Sequence, residues 1–212
     1  MSGAEIAIAS LIVSSLQLAV AVKQTADASA PAIPTGLQEK KRWLQCTLKN
    51  QTQFSLLLQQ TYHDSGRFYS APGSVASFHQ MTFSVCSRDN SVGTGVSGGA
   101  SFRADLDHHH SFHFAIGWTN PYLGSFKAGV IEAKAAKDGY NAASGDGSFV
   151  QSEHGYKGKD EKGENAHIIF HISATPGQKP MFVITEVRED TNKGSTEDEG
   201  EILPMGTGRF RK

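Results

Sequence analysis

The chain has 212 residues, with 20 Lys and Arg against 21 Asp and Glu and a formal net charge of -1. That length suits one domain with extensions, and the even charge excludes a nucleic-acid binder or a membrane partner held mainly by a basic excess. Hydrophobic residues at 38% exclude a disordered polyelectrolyte, and two cysteines exclude a disulfide scaffold and a four-cysteine zinc site.

Residues 6–22 carry no charge, and 13 of these 17 are Ala, Ile, Leu or Val. A helix of that length spans about 26 Å, near a bilayer core of roughly 30 Å. A secretory signal would need a basic start, but Glu5 is present and no Lys or Arg precedes Lys23. A permanent anchor is weakened by Ser10, Ser14, Ser15 and Gln17. Gly3, Ala7, Ser10, Ser14, Gln17 and Ala21 step by four, three, four, three and four, placing a small and polar seam on one side of a helix. Residues 1–22 are therefore expected as an amphipathic helix. Its seam would face water, either on the protein surface or in an aqueous lumen.

Residues 23–41 are polar, with two prolines and a glycine, and read as a linker that lets the helix change position. Residues 42–187 then carry short runs rich in Val, Ile, Phe and Thr, several alternating with period two, such as Phe112, Phe114 and Ile116. Asp64-Ser65-Gly66, Pro72-Gly73, Asn120-Pro121, Gly145-Asp146-Gly147 and Pro176-Gly177 punctuate them. The pattern predicts a mainly β protein, a β-sandwich of eight or more strands. One or two short helices have room within 129–141. Residues 188–212 are acidic at first, with a basic tip, and are expected as a flexible tail.

No catalytic motif stands out, and neither enzymatic activity nor a cofactor is expected. Residues 93–98 superficially match a dinucleotide loop but lack its strand–helix setting. His108, His109 and His110 are consecutive, with His113 beyond. On a strand, His108 and His110 would share a face and could hold a metal. The flanking Asp105-Leu106-Asp107 favours a solvated hairpin tip instead, so no metal site is expected. Cys46 and Cys86 are expected as buried thiols, a disulfide being the alternative. Trp118, Tyr122 and Phe126 surround Asn120-Pro121, while Tyr140 and Tyr156 lie in glycine-rich stretches. Aromatic rings at loop tips suit the membrane interface, though some would plug the sandwich end.

The order of these features resembles the actinoporin family of pore-forming proteins. Lys40-Lys41-Arg42 leads into the first strand, which ends at Asn50-Gln51-Thr52. Tyr62-His63-Asp64-Ser65-Gly66, then Pro72, then Gly93-Thr94-Gly95-Val96 and the apolar strand Phe112–Gly117 follow in the family's order. The close at residues 167–187 is similar to its last hairpin. This resemblance implies a sandwich that binds a lipid head group, often phosphocholine of a sphingolipid, and a helix that inserts and lines an oligomeric pore. Ser65 and Val96 would be head-group contacts. Trp118, Pro121 and Tyr122 carry over loosely, because the family's Ser-Val-Pro-x-Asp-Tyr loop is replaced by residues 117–126, and Tyr140 and Tyr156 stand near the place of its later tyrosine-rich helix. Ser10, Ser14 and Gln17 would line the pore, and several helices around water would shelter them from lipid. The protein would then be secreted or stored in soluble form and would self-associate on a membrane, with no nucleic acid as partner. Cys86-Ser87-Arg88-Asp89 with Gly93-Thr94 resembles the aegerolysins instead, and fungal fruit-body lectins share the sandwich. Both stand for a lipid- or glycan-binding module that forms no pore.

Overall fold

Alternation of apolar and polar side chains dictates strands whose two faces differ, and most of this chain obeys it. The structure, a computed structural model, describes residues 4–89 and 94–189. In chain order the elements are β1 (Glu5–Ile12), α1 (Ser15–Asp27), β2 (Trp43–Gln51), β3 (Leu56–Ser65), β4 (Arg67–Ser70), β5 (Gln80–Cys86), β6 (Val96–Asp105) and β7 (Ser111–Asn120). They continue with β8 (Lys127–Ile131), α2 (Ala136–Ala142), β9 (Ser148–Gln151), β10 (Gly155–Asp160), β11 (Asn165–Thr175) and β12 (Met181–Glu189). One sheet has the order β1-β10-β11-β12-β2-β5-β4, with β9 also paired to β11; the other has the order β3-β6-β7-β8. The expected mainly β sandwich is what forms, and α2 falls in the segment with room for a short helix.

The core lies between the sheets. Phe112, Phe114, Ile116 and Trp118 of β7 face Phe170 and Ile172 of β11, Phe182 and Ile184 of β12, and Phe83 of β5. Phe112 stacks on Phe170 with ring centroids 4.7 Å apart. Asn50, fully buried, closes one end. Its amide donates to the carbonyls of Phe54 and Ala76, and its oxygen accepts from the Thr52 backbone and hydroxyl. Each polar atom of this buried amide is thereby satisfied.

The N-terminal segment departs from expectation. Residues 1–22 do not form one amphipathic helix: Glu5–Ile12 is a strand, and the helix begins only at Ser15. The isoleucines at 6, 8 and 12 alternate with Ala7, Ala9 and Leu11, so the strand turns its β-branched side chains inward. Parallel pairing with β10 satisfies the backbone groups along one side of this edge strand, and the Ala9 amide donates to the Asp107 carboxylate at 2.8 Å. Ser14 is the N-cap of α1, its hydroxyl accepting from the Gln17 backbone at 3.4 Å.

The segment expected as a linker over 23–41 begins inside α1 and continues as a strap along the outer face of β2. Gln45, Thr47 and Lys49 face away from the core yet are buried beside this strap. The Lys49 ammonium donates to the carbonyls of Ala26 and Ala28, capping the end of α1. Gln45 donates to Pro31 and Ala32, Gln80 to Ser29, and the Tyr69 hydroxyl to Thr35. Of the expected acidic tail, Arg188 and Glu189 belong to β12, and 190–212 lie outside the described residues. Cys46 and Cys86 are buried free thiols. Cys46 pairs across the ladder with Phe83, three positions from Cys86, an offset of about 10 Å that no disulfide spans.

Candidate functional site

The chain starts of β2 and β6, the ends of β3, β5 and β7, and the β7–β8 loop meet at one end of the sandwich. The loop is built by Pro121 and by Gly124 at φ +106°. It lifts Tyr122 and Leu123 into solvent, with 54% and 83% of their surfaces exposed. Arg42 braces this tip. Its guanidinium donates to the Tyr122 carbonyl at 2.9 Å and lies 5.7 Å from the ring centroid. Beside it, Asp89 accepts from Lys40 at 2.8 Å and Arg67 at 3.0 Å. The Lys40 hydrogen bond, reinforced by the charges of Lys40 and Arg67, holds the Asp89 carboxyl below its usual range. An aromatic and an aliphatic side chain thus project from a rim of mixed charge that is rich in cations.

Ser65 and Tyr140 belong to the same end. The Ser65 and Ser97 hydroxyls are 2.9 Å apart, and Ser97 donates to Asp64 at 3.0 Å. Tyr140, on α2, has its ring 5.5 Å from that of Tyr62, with the Lys137 ammonium 5.9 Å from the Tyr62 centroid. Burial and the neighbouring Asp64 push the Tyr140 hydroxyl pKa upward. Ser65, Pro121, Tyr122 and Tyr140 are therefore the sequence-selected residues found at this end of the sandwich.

The others do not join them. Trp118, expected near a loop, is fully buried in β7 and packs on Phe83 with centroids 5.0 Å apart. Position 118 continues the inward series of Phe112, Phe114 and Ile116, and that period assigns it to the core. Val96 is also fully buried, against Gly66, and presents no surface to a head group. Tyr156 is buried in β10, its ring 5.6 Å from Phe170, and desolvation pushes its hydroxyl up to about 12. It lines a groove shared with Ser111, at the far end of β7, roughly 30 Å from the Tyr122 loop. Ser10, Ser14 and Gln17 share no helical seam. Ser10 lies in β1 and donates to the Leu106 carbonyl, Ser14 caps α1, and the Gln17 amide donates to Glu161 at 3.3 Å.

Two grooves mark the far end. The first, of about 710 Å³, is lined by Ala9, Ser10 and the turn 105–111. Asp107 organises that turn, accepting from the backbones of Ala9, His109 and His110 and from the His110 ring. The Ala9 bond, followed by those from His109 and His110, holds its carboxyl far below the usual range. The consecutive histidines are thus a hairpin tip, as the flanking aspartates predict. The second groove, of about 480 Å³, gathers His109, His113, Glu132, Glu153, His154 and Tyr156. Glu132, Glu153 and His154 bring one donor atom each within 4.8 Å of one another. Sequence alone does not mark them, because 20 residues lie between Glu132 and Glu153 and no metal-binding spacing links them. The Glu153-His154 pair beside glycine was their only local mark.

No protein-family model matches the chain. No curated protein matches it either. Among solved structures, the chain is similar to a lipid-binding protein, Nakanori, with 11% identity, covering 81% of this chain and 79% of that one at a TM-score of 0.46. It is also similar to the Xerocomus chrysenteron lectin XCL, with 9% identity over 68% of this chain and 99% of that one at a TM-score of 0.32.

Proposed function

We propose that this protein is a binding module, not an enzyme, and that its ligand is a membrane lipid surface engaged by the Tyr122 end of the sandwich. The observation that carries this reading is the loop tip itself. Tyr122 and Leu123 stand exposed beside Arg42 and Lys40, and rings with apolar bodies and polar edges partition to the water–lipid boundary while cations meet phosphates. Burying one Leu side chain contributes about 1.5–3 kcal/mol, which is roughly 10- to 100-fold in affinity. Ser65, Asp64, Tyr62 and Tyr140 cluster at the same end of the sandwich and would meet the head group. The Lys137 ammonium stands over Tyr62, so a choline would compete with it there.

Flotation with vesicles of phosphatidylcholine alone, with sphingomyelin, or with phosphatidylserine tests this. A Tyr122→Ala/Leu123→Asp double variant is expected to bind at least 10-fold more weakly than the parent. Equal binding by both would overturn the loop's role. Capture by immobilised glycans without any vesicle binding would replace the lipid by a sugar, the alternative for this sandwich.

Pore formation is the finer reading, and α1 is the feature that favours it. Leu16 and Val20 turn 75% and 53% of their surfaces to solvent, an apolar face that lipid would cover. Among the described residues no helix is long and apolar enough to cross a membrane. The 13 residues of α1 span about 20 Å. A spanning helix would therefore require β1 to leave β10 and recoil in continuity with α1, and several copies to assemble around water on the target membrane. Soluble secretion or storage before that step fits the burial of Ile8 and Ile12 in the sandwich.

A further inference from the structure

The groove at the far end places three metal-ligating side chains together on two separate turns. Glu132 directly follows β8, and Glu153-His154 form the turn between β9 and β10. That turn is held in place. The buried Ser152 donates its backbone amide to the Phe170 carbonyl at 2.8 Å, accepts the Phe170 amide on its hydroxyl at 3.1 Å, and donates that hydroxyl to the His154 carbonyl at 2.8 Å. Glu132 ties the two turns, one carboxylate oxygen accepting the Glu153 amide at 2.8 Å. The donor atoms of Glu132, Glu153 and His154 all lie within 4.8 Å of one another. A tetrahedral ion with bonds of about 2.0–2.2 Å sets its ligands roughly 3.3 Å apart, so modest side-chain rotation closes this set around one ion.

The cluster opens on a groove of about 480 Å³ whose walls include His109, His113 and Tyr156. We propose that Glu132, Glu153 and His154 bind one divalent transition-metal ion of the zinc class, with its remaining coordination position open to the groove. Two carboxylates and an imidazole suit a borderline ion. Calcium instead takes six to eight oxygens, more than this set supplies.

The test is calorimetric titration of the full chain, freed of metal by chelation, with zinc chloride and separately with calcium chloride, with thermal melting as a second readout. Zinc is expected to bind at one equivalent and raise the melting temperature, and calcium to bind more weakly. His154→Ala and Glu132→Gln, each melting cooperatively without metal, are expected to weaken zinc binding 10-fold or more. His108→Ala, which alters the neighbouring turn, should leave it unchanged. No zinc binding by the parent, unchanged affinity in both cluster variants, or loss on replacing His108 would overturn the site. Equal affinity for calcium would overturn the assigned ion class.

Discussion

Glu186 is 2% exposed on the inward face of β12, continuing the series of Phe182 and Ile184. One carboxylate oxygen accepts the Gln53 amide at 3.1 Å, and the other finds no hydrogen-bond partner among the described residues. Desolvation therefore pushes its pKa from 4.5 up to about 7, against the smaller opposing effect of the Gln53 bond. The folded state holds this proton more tightly than the unfolded chain. Its stability contribution is complete below about 4.5 and is lost as the pH rises through about 7. A shift of that size corresponds to something on the order of 3 kcal/mol. Glu186→Gln should melt close to the parent at pH 5 and above it at pH 8. Parallel melting temperatures across that range would show that Glu186 is not the group responsible. The consequence reaches beyond one residue, because the Gln53 side chain holds the β1–α1 junction through Val13 and Leu11.

At the scale of elements, α2 shows how glycines position a helix. Gly99 of β6, Gly117 of β7 and Gly129 of β8 are in register, a row across the outer face of the smaller sheet. α2 rests directly on that row. A Cβ on Gly117 would stand 1.9 Å from the Gly139 carbonyl oxygen of α2. Gly117→Ala should therefore displace α2, and with it Tyr140 and Lys137, at a cost of about 1–3 kcal/mol from overpacking. Urea unfolding measures it, and an unchanged midpoint would mean that the helix yields freely. Glycines inside a strand pattern signal close backbone approach, so the trough was visible in the run Gly98-Gly99, though its occupant was not. β1 is the contrary case. Its pattern supported a small-residue seam at helical spacing and an isoleucine series at strand spacing together, and residues some 150 positions away in β10 selected the second.

Over the whole molecule, the two ends of the sandwich differ in chemistry. One carries the exposed Tyr122 tip and its cations, the other the histidines and carboxylates of the grooves. β1 and α1 are fastened to the larger sheet, by pairing with β10 and by the strap along β2. If pore formation requires β1 to detach, a cross-link should stop it. Ala7 and Lys157 are ladder partners on β1 and β10. The Ala7→Cys/Lys157→Cys variant, oxidised, is expected to bind vesicles like the parent but release no dye, with leakage restored by reductant. Leakage equal in both redox states would show that any pore forms without β1 leaving its sheet. The native thiols at 46 and 86 are buried and should not interfere.

Local pattern alone specified much of the architecture. Period-two apolar runs marked β2, β3, β5, β6, β7, β8, β11 and β12, and Gly, Pro and Asp marked their turns, because strand pleat and turn geometry act over only a few residues. The same pattern placed Tyr122 on an exposed loop beside Asn120-Pro121. Tertiary structure decided what depends on distant partners. It made Glu5–Ile12 a strand by offering it an edge, and folded the polar segment after α1 into a strap by offering carbonyl partners to Lys49 and Gln45. It withdrew Trp118, Val96 and Tyr156 from the surface. It also brought Glu132 to Glu153 and His154, a convergence for which no local spacing carries a signal.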